Sequence, residues 1–252
     1  MECTLIRDDC MNVVRQMGDK TVECVITDIP YDGVNKLGEE RAKYKGQLRK
    51  IDKEEADIIT FDLDEFLKEV SRVSSGGVYI FCGFSQLSQI YDYFGSQKDF
   101  MVRVCFWHKV NPSPMNGQHT YLNAVEVAVY AKRRKTKFNA MCKHNWFAYE
   151  PCQGDIEYIE FLTGKEMVYE TPVGSSKRHT TEKPIELMRD IVLDVTEVGD
   201  LVVDFCAGSF STGEAAMQTG RRFIGVELTK KWYEVGKDRL SVYIPDYEDR
   251  IE

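Results

Sequence analysis

The sequence predicts an α/β fold: a doubly wound, mainly parallel sheet with helices on both faces. Three observations carry this. Six short runs read as strands, at 22–27 (VECVIT), 78–82 (VYIFC), 101–107 (MVRVCFW), 124–130 (AVEVAVY), 201–205 (LVVDF) and 223–227 (FIGVE). Several are separated by helical patterns, and strands alternating with helices imply parallel neighbours joined by right-handed crossovers. Two of the runs lead directly into polar or glycine-rich loops, TDIPYDG (27–33) and CAGSFSTG (206–213). In open α/β sheets, ligands bind beyond the carboxyl ends of the strands.

The helical patterns, in order, are CMNVVRQM near the start, FDLDEFLKEVSRV ended by Ser-Gly-Gly, SQLSQIYDYF, PIELMRDIVLDV, and TGEAAMQT ended by Gly220. Two stretches stand outside the alternation, at 33–60 and 132–178. Both read as insertions over the working edge of one domain spanning 1–252. The second mixes basic residues with Trp146, Phe147, Tyr149 and Tyr158, which makes it a candidate for a small target-recognition region.

A chain of 252 residues can bury one large core without metal or disulfide staples. Its 43% hydrophobic and 29% charged content is ordinary globular usage. The opening MECTLIRDDC lacks the layout of a signal peptide, and no run approaches the roughly 18 uncharged apolar residues of a membrane span, so a cytoplasmic protein is expected. The eight cysteines are scattered without a C-x-x-C pair and the four histidines form no close pair, so no metal site is expected. The net charge of −8 is unevenly spread. RAKYKGQLRK (41–50) and AKRRKTK (131–137) each hold five basic residues and no acid, a distribution able to steer a polyanion to one face.

The glycine loop lies in LVVDFCAGSFSTGEAAMQTGRRFIGVEL, a strand, loop, helix and second strand ending in an acid, Glu227. Such a unit offers loop N–H groups to a polar ligand and an acid to a ribose. A nucleoside triphosphate is a poor fit, because Glu214 stands where a P-loop needs lysine. A dinucleotide is also a poor fit, because Phe210 stands where the backbone must approach the pyrophosphate. S-adenosylmethionine has a ribose and an adenine but no phosphate, and it tolerates more side chain at the loop.

Taken together, these segments resemble the amino-methylating DNA methyltransferases of the β arrangement, in which the catalytic motif precedes the cofactor loop. The resemblance covers nearly the whole chain. LIRDDCMNVVRQMGDKTVECVITDIPY resembles the family's opening, with TDIPY standing for D-P-P-Y. VYIFCGFSQL and FWHKVNPSPMNGQHTYLNAVEVAVYAKR are similar to its middle strands, RHTTEKPIELMRDIV to the H-P-T-x-K-P segment, and DFCAGSFSTGEAAMQTGRRFIGVEL to the D-P-F-x-G-S-G-T-T loop. Three departures stand out: Ile29 for the first proline of D-P-P-Y, Thr180 for the proline of H-P-T, and Phe210 for the last glycine of G-S-G. The first leaves Pro30 to hold residue 29 extended. A phenylalanine at 210 is expected to narrow the cofactor pocket.

The resemblance implies a Rossmann-like class I fold, S-adenosylmethionine as cofactor, DNA as partner and, in many relatives, a homodimer. It implies transfer of a methyl group to adenine N6, with Asp28 and the Ile29 carbonyl accepting the amino hydrogens, Pro30 as a rigid joint and Tyr31 as a stacking plate for an extruded base. For the cofactor it implies Asp9 and Cys10 near the adenine, Glu227 on the ribose, and Asp204, Cys206, Ala207, Gly208 and Ser209 near the methionine. Thr181, Lys183 and Pro184 are expected to close over it. The basic runs supply phosphate-contact candidates: Lys43, Lys45, Arg49, Lys132, Arg133, Arg134 and Lys135. Two other readings stand beside this one: a cytosine-N4 or RNA methyltransferase, and a DNA-binding relative that has lost the cofactor through Phe210.

Overall fold

The computed structural model describes residues 2–31, 61–110, 112, 119–150 and 182–244. Among the described residues, eight strands form one sheet: β1 (Cys3–Arg7), β2 (Val22–Asp28), β3 (Ser74–Cys82), β4 (Phe100–Lys109), β5 (Val125–Arg133), β6 (Trp146–Tyr149), β7 (Leu201–Asp204) and β8 (Arg222–Glu227). Their order across the sheet is β1-β8-β7-β2-β3-β5-β4-β6. All pairings are parallel except those of β5, which runs antiparallel to both β3 and β4. The helices are α1 (Cys10–Gln16), α2 (Leu63–Val73), α3 (Leu87–Gly95), α4 (Ile185–Val195), α5 (Ser211–Gln218) and α6 (Lys230–Leu240).

The sheet is a middle layer because its strands bury both faces. Along β2 and β3, Val25, Val78 and Ile80 point into a core shared with Val14 of α1, Phe66 and Val70 of α2, and Phe94 of α3. Their alternates Cys24, Ile26, Tyr79 and Phe81 point the other way, against Leu187 and Ile191 of α4, Ala216 of α5 and Leu240 of α6. This period of two within continuous apolar runs is what a doubly covered sheet requires.

Local chemistry sets several boundaries. Asp9 caps α1 by accepting from Met11 N at 2.8 Å, and Asp62 caps α2 by accepting from Glu65 N at 3.0 Å. Gly220, at φ +81°, follows the end of α5 and donates to the Met217 carbonyl, as its sequence position predicts. The helix α2 ends before Ser-Gly-Gly as predicted, and β3 starts directly at Ser74. A Cβ on Gly76 would lie 2.3 Å from the Glu23 carbonyl oxygen, so the glycine is there for close approach to β2. Strands β1 and β6 and helix α6 are additions to the predicted elements; β6 places part of the 132–178 stretch in the sheet, beside β4.

The neighbours β7 and β2 send their chains in opposite directions across the sheet: β7 leads through α5 to β8 on one side, and β2 is followed by β3 on the other. The crevice of a doubly wound sheet opens at such a reversal. TDIPY spans the end of β2 and the residues after it, and the glycine loop follows β7, so both predicted motifs meet there. Among the described residues, no helix is long and apolar enough to cross a membrane.

Candidate active site

Asp28 ends β2, and its carboxylate stands in a cluster of charge. Lys183 Nζ donates to Asp28 Oδ2 at 2.5 Å and lies 3.0 Å from Glu126 Oε2. Lys109 approaches the other Glu126 oxygen, Oε1, at 2.5 Å. Tyr31 donates its hydroxyl to Glu126 Oε2 at 3.1 Å and accepts from Lys183 at 3.3 Å. The ammonium of Lys183 is buried, with the Phe81 ring 5.0 Å, the Tyr31 ring 5.5 Å and the Trp107 ring 5.9 Å from it. Among the described residues, no hydrogen-bond partner meets the buried Asp28 Oδ1, while the Tyr31 hydroxyl also lies against the carboxylate.

The electrostatics follow from burial and pairing. Burial pushes the Asp28 carboxyl above the ordinary range, Lys183 pulls it back, and Glu126 pushes it up again. Burial also works against charge on Glu126, but Lys183 and Lys109 outweigh it and bring that carboxyl down to about 2. Lys183 is held above its usual value by Asp28 and Glu126 despite its burial. The Tyr31 phenol is pushed up by burial and by the two carboxylates, so it stays a neutral donor.

The backbone of the tetrad is fixed as well. Ile29 N donates to the Phe81 carbonyl at 3.3 Å, and Gln86 Nε2 donates to the Pro30 carbonyl at 3.0 Å while its Oε1 accepts from Gly83 N at 2.8 Å. Gln86 is itself buried, so this brace is sheltered from water.

The glycine loop is built differently. Asp204 is buried and its carboxylate turns inward: Oδ1 accepts from Cys206 N at 3.1 Å and Oδ2 from the Thr212 hydroxyl at 2.6 Å. Burial lifts this carboxyl to about 6, against the pull of those donors. Ala207 N donates to the Val226 carbonyl, and Gly208 N donates to Glu227 Oε2 at 2.9 Å. Glu227 Oε1 accepts from Thr229 N and its hydroxyl, and burial raises the acid. The Cys206 thiol lies beside that of Cys10, a contact that, with burial, holds it well above the usual thiol range and brings the start of α1 to the loop. Ser209 accepts from Arg239, whose guanidinium also pairs with Glu182 in a buried contact and lies 3.2 Å from Glu214.

Phe210 overturns the expectation of a narrowed pocket. Its backbone is left-handed, at φ +60°, the conformation for which a glycine is the usual choice. Its ring is fully buried on the side of α6 and β8. A Cβ on Gly236 would lie 2.0 Å from Phe210 Cδ2, and one on Gly225 would lie 2.5 Å from Cε1. Two glycines elsewhere in the chain thus make the space that the ring fills.

Asp28, Ile29, Pro30, Tyr31, Lys183, Asp204, Cys206, Ala207, Gly208, Ser209, Glu227, Asp9 and Cys10 therefore gather at one edge of the sheet, with Pro184 capping α4 beside them. Lys43, Lys45, Arg49 and Thr181 lie outside the described residues. The second basic run departs from expectation. Because β5 is antiparallel, Lys132 pairs with Gly77 at the start of β3, whereas Asp28 faces Phe81 near its end. Lys132, Arg133, Arg134 and Lys135 thus stand at the opposite edge, roughly 17 Å along the strand from Val127. There Arg133 is engaged by the Ser71 and Ser74 carbonyls and by the Phe100 ring, and Arg134 by the Lys98 carbonyl.

Sequence reading missed Glu126, Gln86 and Arg239. Glu126 did carry a signal, as an acid inside the apolar strand run AVEVAVY.

A DNA methylase family model matches residues 22–238. The chain belongs to the DNA methylase family. Similar curated members are the type II methyltransferase M.HinfI of Haemophilus influenzae, 26% identical over 98% of this chain and 70% of its own length, and the type II methyltransferase M2.DpnII of Streptococcus pneumoniae, 23% identical over 94% of this chain and 89% of its own. Among solved structures, the M1.HpyAVI–SAM complex is 25% identical with a TM-score of 0.62, covering 94% of this chain and 98% of that one. The cytosine-N4-specific PvuII methyltransferase shares the fold, with a TM-score of 0.67 over 100% of this chain and 89% of that one at 16% identity. Membership makes this DNA methylase one of the amino-methylating N6/N4 enzymes, on a Rossmann-like class I scaffold.

Proposed function

We propose that this methyltransferase transfers a methyl group from S-adenosylmethionine to the exocyclic N6 of an adenine turned out of duplex DNA. The observation that carries the reading is the buried Asp28 Oδ1, without a partner among the described residues, at the reversal point it shares with the glycine loop. A buried acceptor without a donor is costly, and an arriving amino group would satisfy it.

The cofactor edge fits S-adenosylmethionine. Glu227 and Gly208 are locked together, and the Phe210 ring is turned away into the core. In this reading Glu227 takes the ribose hydroxyls, Asp9 and Cys10 border the adenine, and Cys206 to Ser209 with Thr181, Lys183 and Pro184 border the methionine. Asp204 acts by shaping the loop, since it is buried more deeply than Glu227 and turns inward onto Cys206 N and Thr212. When bound, the cofactor supplies an electrophilic methyl on a sulfonium. Asp28 and the Ile29 carbonyl orient the amino group so that its lone pair faces that methyl, and such positioning accounts for about 7 to 11 kcal/mol of barrier lowering. Extruding the base costs a few kcal/mol, and stacking on Tyr31 returns about 1 to 3 kcal/mol. Lys43, Lys45 and Arg49 are the proposed phosphate contacts, which would make DNA affinity fall with salt.

An aspartate rather than a serine at the head of the tetrad favours adenine over cytosine, by family resemblance. The test is incubation with labelled S-adenosylmethionine and mixed-sequence duplex, followed by digestion to nucleosides. N6-methyladenine is expected; N4-methylcytosine would transfer the reading to the cytosine branch, and no methylated base at all would overturn it.

A further inference from the structure

The alternation Asp28, Lys183, Glu126, Lys109 runs from the end of β2 through the segment before α4 to β5 and β4, minus, plus, minus, plus. Nothing in the TDIPY motif requires the last three, and Glu126 lies 98 positions from Asp28 in the chain. Their arrangement solves a physical problem: a carboxylate taken out of water tends to protonate, and a protonated Asp28 would lose the charge that makes it a strong acceptor. A lone lysine would neutralise it but would also be free to move and cover both oxygens. Here the ammonium is anchored on its far side by Glu126, which is in turn charged by Lys109 and bonded by the Tyr31 hydroxyl. Three aromatic rings close the remaining space around it.

We infer that Lys183 and Glu126 are positioning residues: Lys183 keeps Asp28 a carboxylate by engaging Oδ2, and Glu126 anchors Lys183 there so that Oδ1 stays open to a donor. Resting on the adenine-N6 reading, this assigns Lys183 to the acceptor as well as to the cofactor segment in which it lies. It also gives Glu126, from the opposite half of the sheet, a part in the same site. Among the described residues, the titratable groups that face Asp28 are Lys183, Glu126, Tyr31, Cys82 on β3 and Asp204 on β7. Lys183 alone among them carries positive charge, so its removal and that of Glu126 should act on Asp28 in opposite directions.

The test compares wild type with Lys183→Gln, Glu126→Gln and the double variant, each checked for folding by circular dichroism and for S-adenosylmethionine binding by calorimetry. Two readouts are taken: the acid limb of the methylation rate against pH, and the titration of the Asp28 side-chain carboxyl carbon by NMR, assigned with Asp28→Asn. Lys183→Gln should move both upward by about one to three pH units, because burial and Glu126 are then unopposed. Glu126→Gln should move both downward, and the double variant should fall between. Asp28 titration unchanged in folded Lys183→Gln and Glu126→Gln, with or without cofactor, would overturn the inference. Because the NMR titration needs no turnover, the two failures separate. Shifted titrations in a protein that methylates no adenine would sink the functional reading alone, whereas normal methylation with unmoved titrations would sink the inference alone.

Discussion

The two loops at the working edge are held by opposite physics. The tetrad after β2 is fixed by charge: Asp28, Lys183, Glu126 and Lys109 alternate in sign, and Gln86 braces the backbone. The glycine loop after β7 is fixed by packing and inward hydrogen bonds: the Phe210 ring sits in a slot lined by Gly225 and Gly236, and Asp204 bonds Cys206 N and Thr212. The difference suits their proposed tasks. An acceptor for an amino group must keep a charge in a buried place, whereas a cradle for a cofactor must keep a shape. The two loops should therefore fail differently when altered.

The largest effect is expected at the packed loop. Phe210→Ala removes a fully buried ring and should cost about 3 to 5 kcal/mol of stability in urea unfolding, while the folded fraction keeps its affinity for S-adenosylmethionine. Gly236→Ala alone should also destabilise, through the clash with Phe210. Combined with Phe210→Ala it should cost less than the sum, since the ring it strikes is gone. At the charged loop, Asp28→Asn takes one charge partner from buried Lys183, so it should cost about 1 to 3 kcal/mol of stability, and it should lower the methylation rate by about 100- to 1,000-fold, the scale for losing one preorganised electrostatic partner.

A smaller effect separates the loops by pH. Asp204 has a folded-state pKa raised to about 6, so its contribution to stability is full below its unfolded value, near 4, and is lost as pH rises through 6. Across that window, denaturation curves should show wild type losing on the order of 3 kcal/mol relative to Asp204→Asn, whose side chain does not ionise. The smallest expected change is Tyr31→Phe. It loses the hydroxyl bond to Glu126 but keeps the ring, so methylation should fall only a few-fold, about 1 kcal/mol, whereas Tyr31→Ala should lose the stacking as well.

How much of this was legible in the sequence depends on how local each feature is. TDIPY, EKP and CAGS are contiguous, and each follows a strand or precedes a helix, so their place at the edge could be read from the run beside them. The shape of the sheet around β5 could not. Its strand pattern is the same whether it runs parallel or antiparallel, yet only the antiparallel course carries Lys132 to Lys135 to the far edge and brings Glu126 to the near one. Phe210 was misread for a related reason. A residue in the place of a glycine reveals the backbone conformation it must adopt, but the direction of its ring depends on Gly225 and Gly236, which lie 15 and 26 positions on.

In the proposed site, one crevice joins the carboxylate of Asp28 to a cofactor held by Glu227 and the glycine loop. A crystal structure of the protein with S-adenosylmethionine measures this directly. The ribose hydroxyls should lie on Glu227 and the sulfonium methyl should point at Asp28. A ribose bound away from Glu227, or a methyl facing away from Asp28, would contradict that arrangement.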